Sequence, residues 1–406
     1  TILGEFTGDG HFSATYEDRE VMRLEMEFLH NGLPQRVMKA AWKRPLFTEP
    51  ENEPVSDWPG LFQKVLSQLN VCSKEPIVRL YDHGVQGTSA LPPYTGVNWD
   101  GPNDAVILTP LLGKPYGMVI AHGLNPVLNQ IDPYFGSLWA AAEAVSNAVA
   151  AGADHREMAL IDNFIWPFPD EELLGALDLA VDACVDFSSA TGMPFISGKD
   201  SLSSTYRGKD GTIIKIPPVL CVSSFGRIQD VNLTVSTDFK KAGSQIVLVG
   251  FRNTAEMAGS VYYQIQGCTG NNLPRVNPSL LNEVFTVVHK AAASGILQAC
   301  HDISEGGLAA ALAEMCFGGG LGAKITVPGS EQAEHFFFNE TAGCFLAELP
   351  PGSDPGLIFG QVPCVKIGET TAAREISAEQ SVDALFTLSI DDLKQAWQRP
   401  MKEVFR

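Results

Sequence analysis

Between residues 105 and 327, short apolar runs alternate twice over with capped, Ala-rich helical stretches, and this alternation limits the chain to layered architectures in which helices cover a sheet. In the first round, residues 105–108 and 116–121 read as strands. Asp132 followed by Pro133 supplies an N-cap with proline in the first turn, and an apolar stretch of helical spacing runs over 134–151 and stops at Gly152. Residues 158–164 then read as a strand, 170–191 as a helix ending at Gly192, and 194–196 as a strand leading into Ser197-Gly198-Lys199-Asp200-Ser201. In the second round, 245–251 has the length and composition of a buried strand, and 278–294 is a helix capped by Asn277. Residues 296–301 read as a strand and 305–316 as a helix with Ser304 as its cap. Residues 322–327 and 335–347 read as further strands, and 391–398 as a terminal helix. The expected fold class is α+β or α/β in two main units.

Upstream, residues 2–6 and 11–16 flank Thr7-Gly8-Asp9-Gly10 as a hairpin, and 21–27 adds a strand. Residues 44–58 are rich in Pro and Glu, as an extended connector would be; 61–69 has helical spacing and 77–80 reads as a strand. The chain begins at Thr1 with strand-like sequence, as a piece of a longer polypeptide would.

Charge narrows the function. Twenty-eight Lys and Arg against 47 Asp and Glu give a net charge of −19, which repels nucleic acid and anionic membrane surfaces. An anionic small molecule remains compatible if bound cations cancel its charge. No apolar run approaches the roughly 20 residues of a membrane span, and no basic-then-apolar leader opens the chain, so a cytoplasmic protein is expected. The eight cysteines are scattered without a CxxC pair and read as reduced core residues.

Several residues suit phosphate or metal chemistry. Gly198-Lys199-Asp200-Ser201, after an apolar strand, is compatible with a phosphate-contacting turn, although P-loop spacing is absent. An ordinary surface turn explains the same residues. Glu143 and Asn147, four apart on an apolar helix, present oxygens on one face, and Asp104 and Asp302 sit at strand ends. Oxygen donors of this kind suit Mg²⁺. Solvent-facing polarity and helix capping are the alternative for each residue taken singly.

Taken together, Tyr81-Asp82-His83-Gly84-Val85-Gln86-Gly87, Asp104-Ala105-Val106, the Gly136-to-Asn147 stretch, Asp162-Asn163-Phe164, SGKDS at 197–201 and HDISEGGLAAALAEM at 301–315 resemble the synthetase subunit of the phosphoribosylformylglycinamidine synthase family. The resemblance covers most of the chain and is to the second half of a longer protein. It implies an aminoimidazole-ribonucleotide-synthetase-like two-domain unit: a sheet with helices packed on one face, plus a smaller α/β domain. Residues 1–40 would be the tail of a preceding α/β domain, 41–68 a linker and short helix, 69–235 a nucleotide-binding domain and 243–406 a C-terminal α/β domain.

The resemblance also implies a function. The family uses ATP to activate the amide oxygen of formylglycinamide ribonucleotide, and ammonia from a glutaminase subunit or domain then yields the amidine. Asp104, Glu143, Asn147 and Asp302, with Ser304 near the nucleotide, match an auxiliary Mg²⁺–ATP/ADP site. Asp162, Gly198, Lys199 and Ser201 match positions that reach into the catalytic site of the first half. Catalytic histidines and the substrate loop belong to that first half, and His335 to Gly343 is the second-half counterpart of the loop, with Asn339-Glu340-Thr341-Ala342 where the family has Glu-Ser-Gln. The isolated chain is therefore expected to lack turnover, and its pseudo-dimer face to drive homodimerisation or limit solubility. A non-catalytic nucleotide-binding module, or another synthetase of the superfamily acting on aminoimidazole ribonucleotide or selenophosphate, is the alternative reading.

Overall fold

The computed structural model describes residues 1–50, 54–80 and 84–405. Thr1–Ala40 and Ala41–Arg406 are two compact units. In the first, His11–Tyr16 pairs antiparallel with Arg19–Glu25, followed by a short helix, Met26–Asn31. The chain reverses at Glu17 and Asp18, both at positive φ, the conformation a two-residue hairpin turn needs. The expected hairpin across Thr7 to Gly10 is thereby corrected, since residues 2–6 form no strand.

The second unit is built on two sheets. The first contains β1 (Ser89–Leu91), β2 (Val106–Leu108), β3 (Gly117–Gly123), β4 (Met158–Ile165), β5 (Phe195–Ser201) and β6 (Val219–Ile228), in the order β1-β2-β3-β6-β4-β5. Only its edge pair β4–β5 is parallel. The second contains β7 (Gln245–Val249), β8 (Ala299–Asp302), β9 (Gly322–Val327), β10 (Phe345–Leu349), β11 (Cys364–Thr371), β12 (Glu375–Gln380) and β13 (Asp383–Ser389), in the order β8-β10-β7-β11-β9-β12-β13. The principal helices are α1 (Trp58–Leu66), α2 (Pro133–Ala150), α3 (Glu171–Thr191), α4 (Pro278–Ala293), α5 (Gly307–Gly319) and α6 (Ile390–Val404).

Helix α2 starts where its cap predicts: the Asp132 carboxylate accepts from the backbone N–H groups of Tyr134 and Phe135. Fifteen of its 18 residues are buried, the signature of a helix enclosed on all sides. It packs on β3 and β6 of the first sheet and on β8 of the second, so its Ala-rich surface lets two layers approach one axis. Ser224 of β6 donates to the carbonyl of Ala144 at 2.5 Å, and a Cβ on Gly123 of β3 would stand 2.3 Å from the carbonyl oxygen of Ala140. Gly123→Ala is expected to destabilise by about 1–3 kcal/mol, because helix backbone and not a movable side chain stands in the way. Urea unfolding at constant m-value checks this. A second core lies among α1, α5, α6 and the second sheet, where Trp58, Phe62, Phe337, Phe338 and Phe386 form an aromatic cluster.

Along β3, Val119 and Ala121 are buried while Met118 and Ile120 are exposed, so the first sheet covers one face with helices and leaves the other open. The connector is extended but fixed: Arg44 donates to the carbonyl of Asn271, and the Phe47 N–H donates to the Asn271 side chain.

Three further expectations are corrected. Residues 77–80 belong to a short helix, Glu75–Val78, and its end, since Pro76 in the first turn favours helix over strand. Residues 335–347 divide into a helix, Ala333–Phe338, and strand β10, an apolar run that periodicity alone cannot assign. Ser197 to Ser201 is not a turn but the continuation of β5, whose free edge accommodates polar residues. All eight cysteines are free thiols, four of them only half-buried. Among the described residues no helix is long and apolar enough to cross a membrane.

Candidate functional site

The sheet and helix ends bring a carboxylate cluster together. Asp104 lies just before β2 and Asp302 ends β8; the Asp302 N–H donates to Asp104 Oδ2 at 2.9 Å. His301 Nδ1 is 3.0 Å from Asp104 Oδ1 and 3.4 Å from Asp302 Oδ1, and its Nε2 is 3.0 Å from Glu314 Oε2. One ligand atom from each of Asp104, His301 and Asp302 falls within 4.8 Å of the others. Glu314 is held in turn by the indole N–H of Trp397 at 3.0 Å.

Glu143 and Asn147 project from α2 toward the same region, and both latch the end of β3. Glu143 Oε2 accepts from the Leu124 N–H at 2.8 Å, and the Asn147 amide donates to the His122 carbonyl at 2.9 Å. Glu143 also shares a side-chain hydrogen bond with Glu305 and feels the charge of Asp302. Glu143, Asn147, Glu305 and Glu314 line a cleft of about 400 Å³ together with Lys74 and Tyr94.

Electrostatics are dominated by burial. Desolvation raises the carboxyls of Glu143 and Glu305, with mutual proximity adding to the rise at Glu143. Two carboxyl groups in one hydrogen bond share a proton. Burial also raises Asp104, against the opposing pull of His301. For His301 burial works against the charged form, but Asp104, Asp302 and Glu314 outweigh it and hold the imidazolium. Five carboxyls thus face two cations, His301 and Lys74.

A divalent metal fits this donor set. Asp302 Oδ2 is buried and has no hydrogen-bond partner, so a carboxylate oxygen stands ready for a cation. Oxygen ligands in excess of local positive charge suit Mg²⁺. The four expected ligands do not form one shell, however. Asp104 and Asp302 cluster with His301, whereas Glu143 pairs with Glu305 and Asn147 lies one turn along α2.

Ser304 lies beside the cluster, 3.5 Å from Asp302 Oδ1, but it does not cap α5 as expected. The N-cap is Gly306, at φ 84°, and its N–H goes to the Glu340 carboxylate at 2.8 Å. The other expected nucleotide residues are elsewhere, on β4 and β5 at the opposite end of the sheet from β2. They also divide between its faces. Asp162 is in register with Gly198, and a Cβ at 198 would meet the Asp162 carboxylate at 2.3 Å; Lys199 and Ser201, in register with Asn163 and Ile165, share the other face and hydrogen-bond to each other. Tyr81-Asp82-His83 lies outside the described residues.

Sequence reasoning missed His301, Glu305 and Glu314 as parts of this site, although all three stand in the HDISEGGLAAALAEM stretch. Their signal is the number of charges in an otherwise apolar strand-to-helix segment.

Comparison with known proteins agrees with the fold. The family described as AIR synthase related protein, C-terminal domain, matches residues 241–380. The subunit PurL of phosphoribosylformylglycinamidine synthase from Thermoplasma acidophilum is 28% identical over 98% of the chain, and that from Thermoplasma volcanium 30% identical over 98%. The chain is similar to PurL over nearly its whole length. It spans about half the length of the curated PurL proteins it matches, 52% for both Thermoplasma proteins. Among solved structures, Thermotoga maritima PurL complexed with FGAR superposes with a TM-score of 0.63 at 13% identity, covering 82% of this chain and 52% of that one. The hydrogenase maturation protein HypE in complex with ATP gives a TM-score of 0.50 at 17% identity, covering 70% of this chain and 89% of that one. The two-sheet unit is thus an AIR-synthase-like α+β fold, found within PurL and over most of the HypE chain.

Proposed function

We propose that this chain acts as the C-terminal half of the ATP-dependent carbon–nitrogen ligase that converts formylglycinamide ribonucleotide into formylglycinamidine ribonucleotide in purine biosynthesis. Its acidic pocket would hold an auxiliary Mg²⁺–ADP or Mg²⁺–ATP. Likeness to PurL over nearly the whole chain supports the first part; solved PurL structures carry FGAR, ATP or ADP. The observation that carries the second is the unpartnered, buried Asp302 Oδ2, in a cluster richer in carboxylates than in cations and close enough to act on Glu143 and Glu305 of the cleft wall.

Asp104 and Asp302 would hold the metal, with Glu143 and Asn147 on the cleft wall and Ser304 beside the nucleotide. The metal would supply positive charge against the nucleotide's phosphates. His301 keeps its charge and orients Asp104 and Asp302, while Glu314 and Trp397 hold His301 in place. No catalytic residue is assigned to this half. Lys199 and Ser201 would act on a first half packed against the open face of the first sheet, and Asp162 and Gly198, on its other face, would act around its free edge. A lysine and a hydroxyl projecting together from the open face suit contact with phosphate. The same exposed face would pair copies of the chain when the first half is withheld.

The 406-residue chain alone is expected to give no amidine product from formylglycinamide ribonucleotide, ATP and ammonia, and to give it when a PurL first half is supplied in trans. Omitting a glutaminase leaves the ammonia-driven rate intact. Turnover by the chain alone contradicts the composite-site reading.

A further inference from the structure

A second cavity, of about 560 Å³, shares no lining residue with the acidic cleft. It is walled by the end of β7, the start of β11 and the side chains of Arg252, Glu256, Arg275, Glu331 and Thr341. Arg252 uses two of its nitrogens internally: Nη2 donates to the Phe336 carbonyl at 2.6 Å and Nε to Asn339 Oδ1 at 3.1 Å. Its Nη1 is buried without a partner. Glu331 also lines this cavity, and its Oε2 is likewise buried without a partner. The two residues feel each other's charge, yet no described ion pair joins them. Glu256 is already satisfied, by the Asn253 amide at 3.0 Å and the Arg275 N–H at 2.9 Å.

An unmade buried hydrogen bond costs about 1–3 kcal/mol, more for a charged group. One unmatched donor and one unmatched acceptor of opposite charge, on the wall of a cavity large enough for a small molecule, call for a guest that carries both complements. We propose that this cavity binds a small zwitterion of the α-amino-acid class, its carboxylate on Arg252 and its ammonium on Glu331. A phosphate monoester fits less well, because it leaves the Glu331 carboxylate without a cationic complement. Both atoms are closed off from water; Glu331 Oε2 has no bond to give up in turning toward the guest, whereas Arg252 Nη1 turns only by exchanging the bonds to Phe336 and Asn339 for the guest's carboxylate. This proposal is independent of the nucleotide reading.

Thermal unfolding of the 406-residue chain is followed with each of the common L-amino acids at millimolar concentration, and then with singly charged analogues: the N-acetyl amino acid and the matching amine. At about ten times Kd, an amino acid that binds is expected to raise Tm by about 1–3 °C. Neither analogue should do so, and Glu331→Gln, which keeps the side-chain volume, should abolish the rise. Arg252→Lys should weaken it, and Glu331→Gln alone decides the matter if that variant does not fold. No shift with any amino acid, a shift equal with the analogues, or a shift retained in Glu331→Gln overturns the proposal. In the first case water alone satisfies the two groups.

Discussion

Glu340→Ala is expected to cost about 2–5 kcal/mol of folding stability, while Glu340→Gln costs less than about 1 kcal/mol. The Glu340 carboxylate is almost wholly buried, and its Oε1 accepts from the Val261 N–H and the Gly306 N–H, both at 2.8 Å. Its own carbonyl accepts from the Trp139 indole at 2.7 Å, which ties the 339–343 segment to α2. Alanine leaves two backbone donors buried and unpaired. Glutamine keeps the acceptor, and because burial and then the charge of Glu305 push the Glu340 carboxyl toward its neutral form, the amide is close to the native species. Urea midpoints of the two variants measured side by side test this. Equal destabilisation by both would show that charge, not the pair of hydrogen bonds, is what the site needs. Neighbouring Asn339 and Thr341 are also spent internally: the Asn339 amide donates to the carbonyls of Asn253 and Glu256, and the Thr341 hydroxyl donates to Asn339 Oδ1. The 339–343 segment is thus a structural clasp that joins the two layers.

The capped helices were legible in the sequence because their signals are local. Asp132 before Pro133, Asp170, Asn277 and the stops at Gly152 and Gly192 each act within one turn, and α2, α3 and α4 begin and end within a residue or two of those marks. What the sequence hides are partners distant in the chain. Glu340 caps α5 from 34 residues away, so Ser304, the nearest hydroxyl, stood as the local candidate. His301 and Glu314 meet only because β8 and α5 fold back on each other. SGKDS carries turn-forming residues but lies at a sheet edge, where register with β4 overrides local preference. Of the four expected ligands, Asp104 and Asp302 lie together as strand ends would place them, whereas the positions of Glu143 and Asn147 depend on how α2 is latched to β3.

Asp302→Asn is expected to lower the affinity for Mg²⁺–ADP by at least about 10–100-fold. The unliganded protein should change little in stability: Asp302 Oδ2 has no partner to lose and the crowding of like charge around Glu143 falls, which offsets the loss of Asp302's share in holding the His301 imidazolium. Glu143→Gln should weaken binding in the same direction, with an added stability cost if its hydrogen bond from Leu124 loosens. In thermal unfolding, Mg²⁺–ADP at about one hundred times Kd stabilises the unsubstituted chain by about 2.7 kcal/mol, and that increment should fall to about 0.4–1.4 kcal/mol in Asp302→Asn at the same concentration.

The acidic pocket as a seat for a magnesium-bound adenine nucleotide is tested most directly by calorimetric titration of ADP into the chain, with Mg²⁺ present and then with Mg²⁺ removed by chelation. Saturable binding that requires Mg²⁺ and is at least about tenfold weaker in Asp302→Asn is the predicted result. Absence of binding at millimolar Mg²⁺–ADP, or binding that survives both chelation and the substitution, would contradict it.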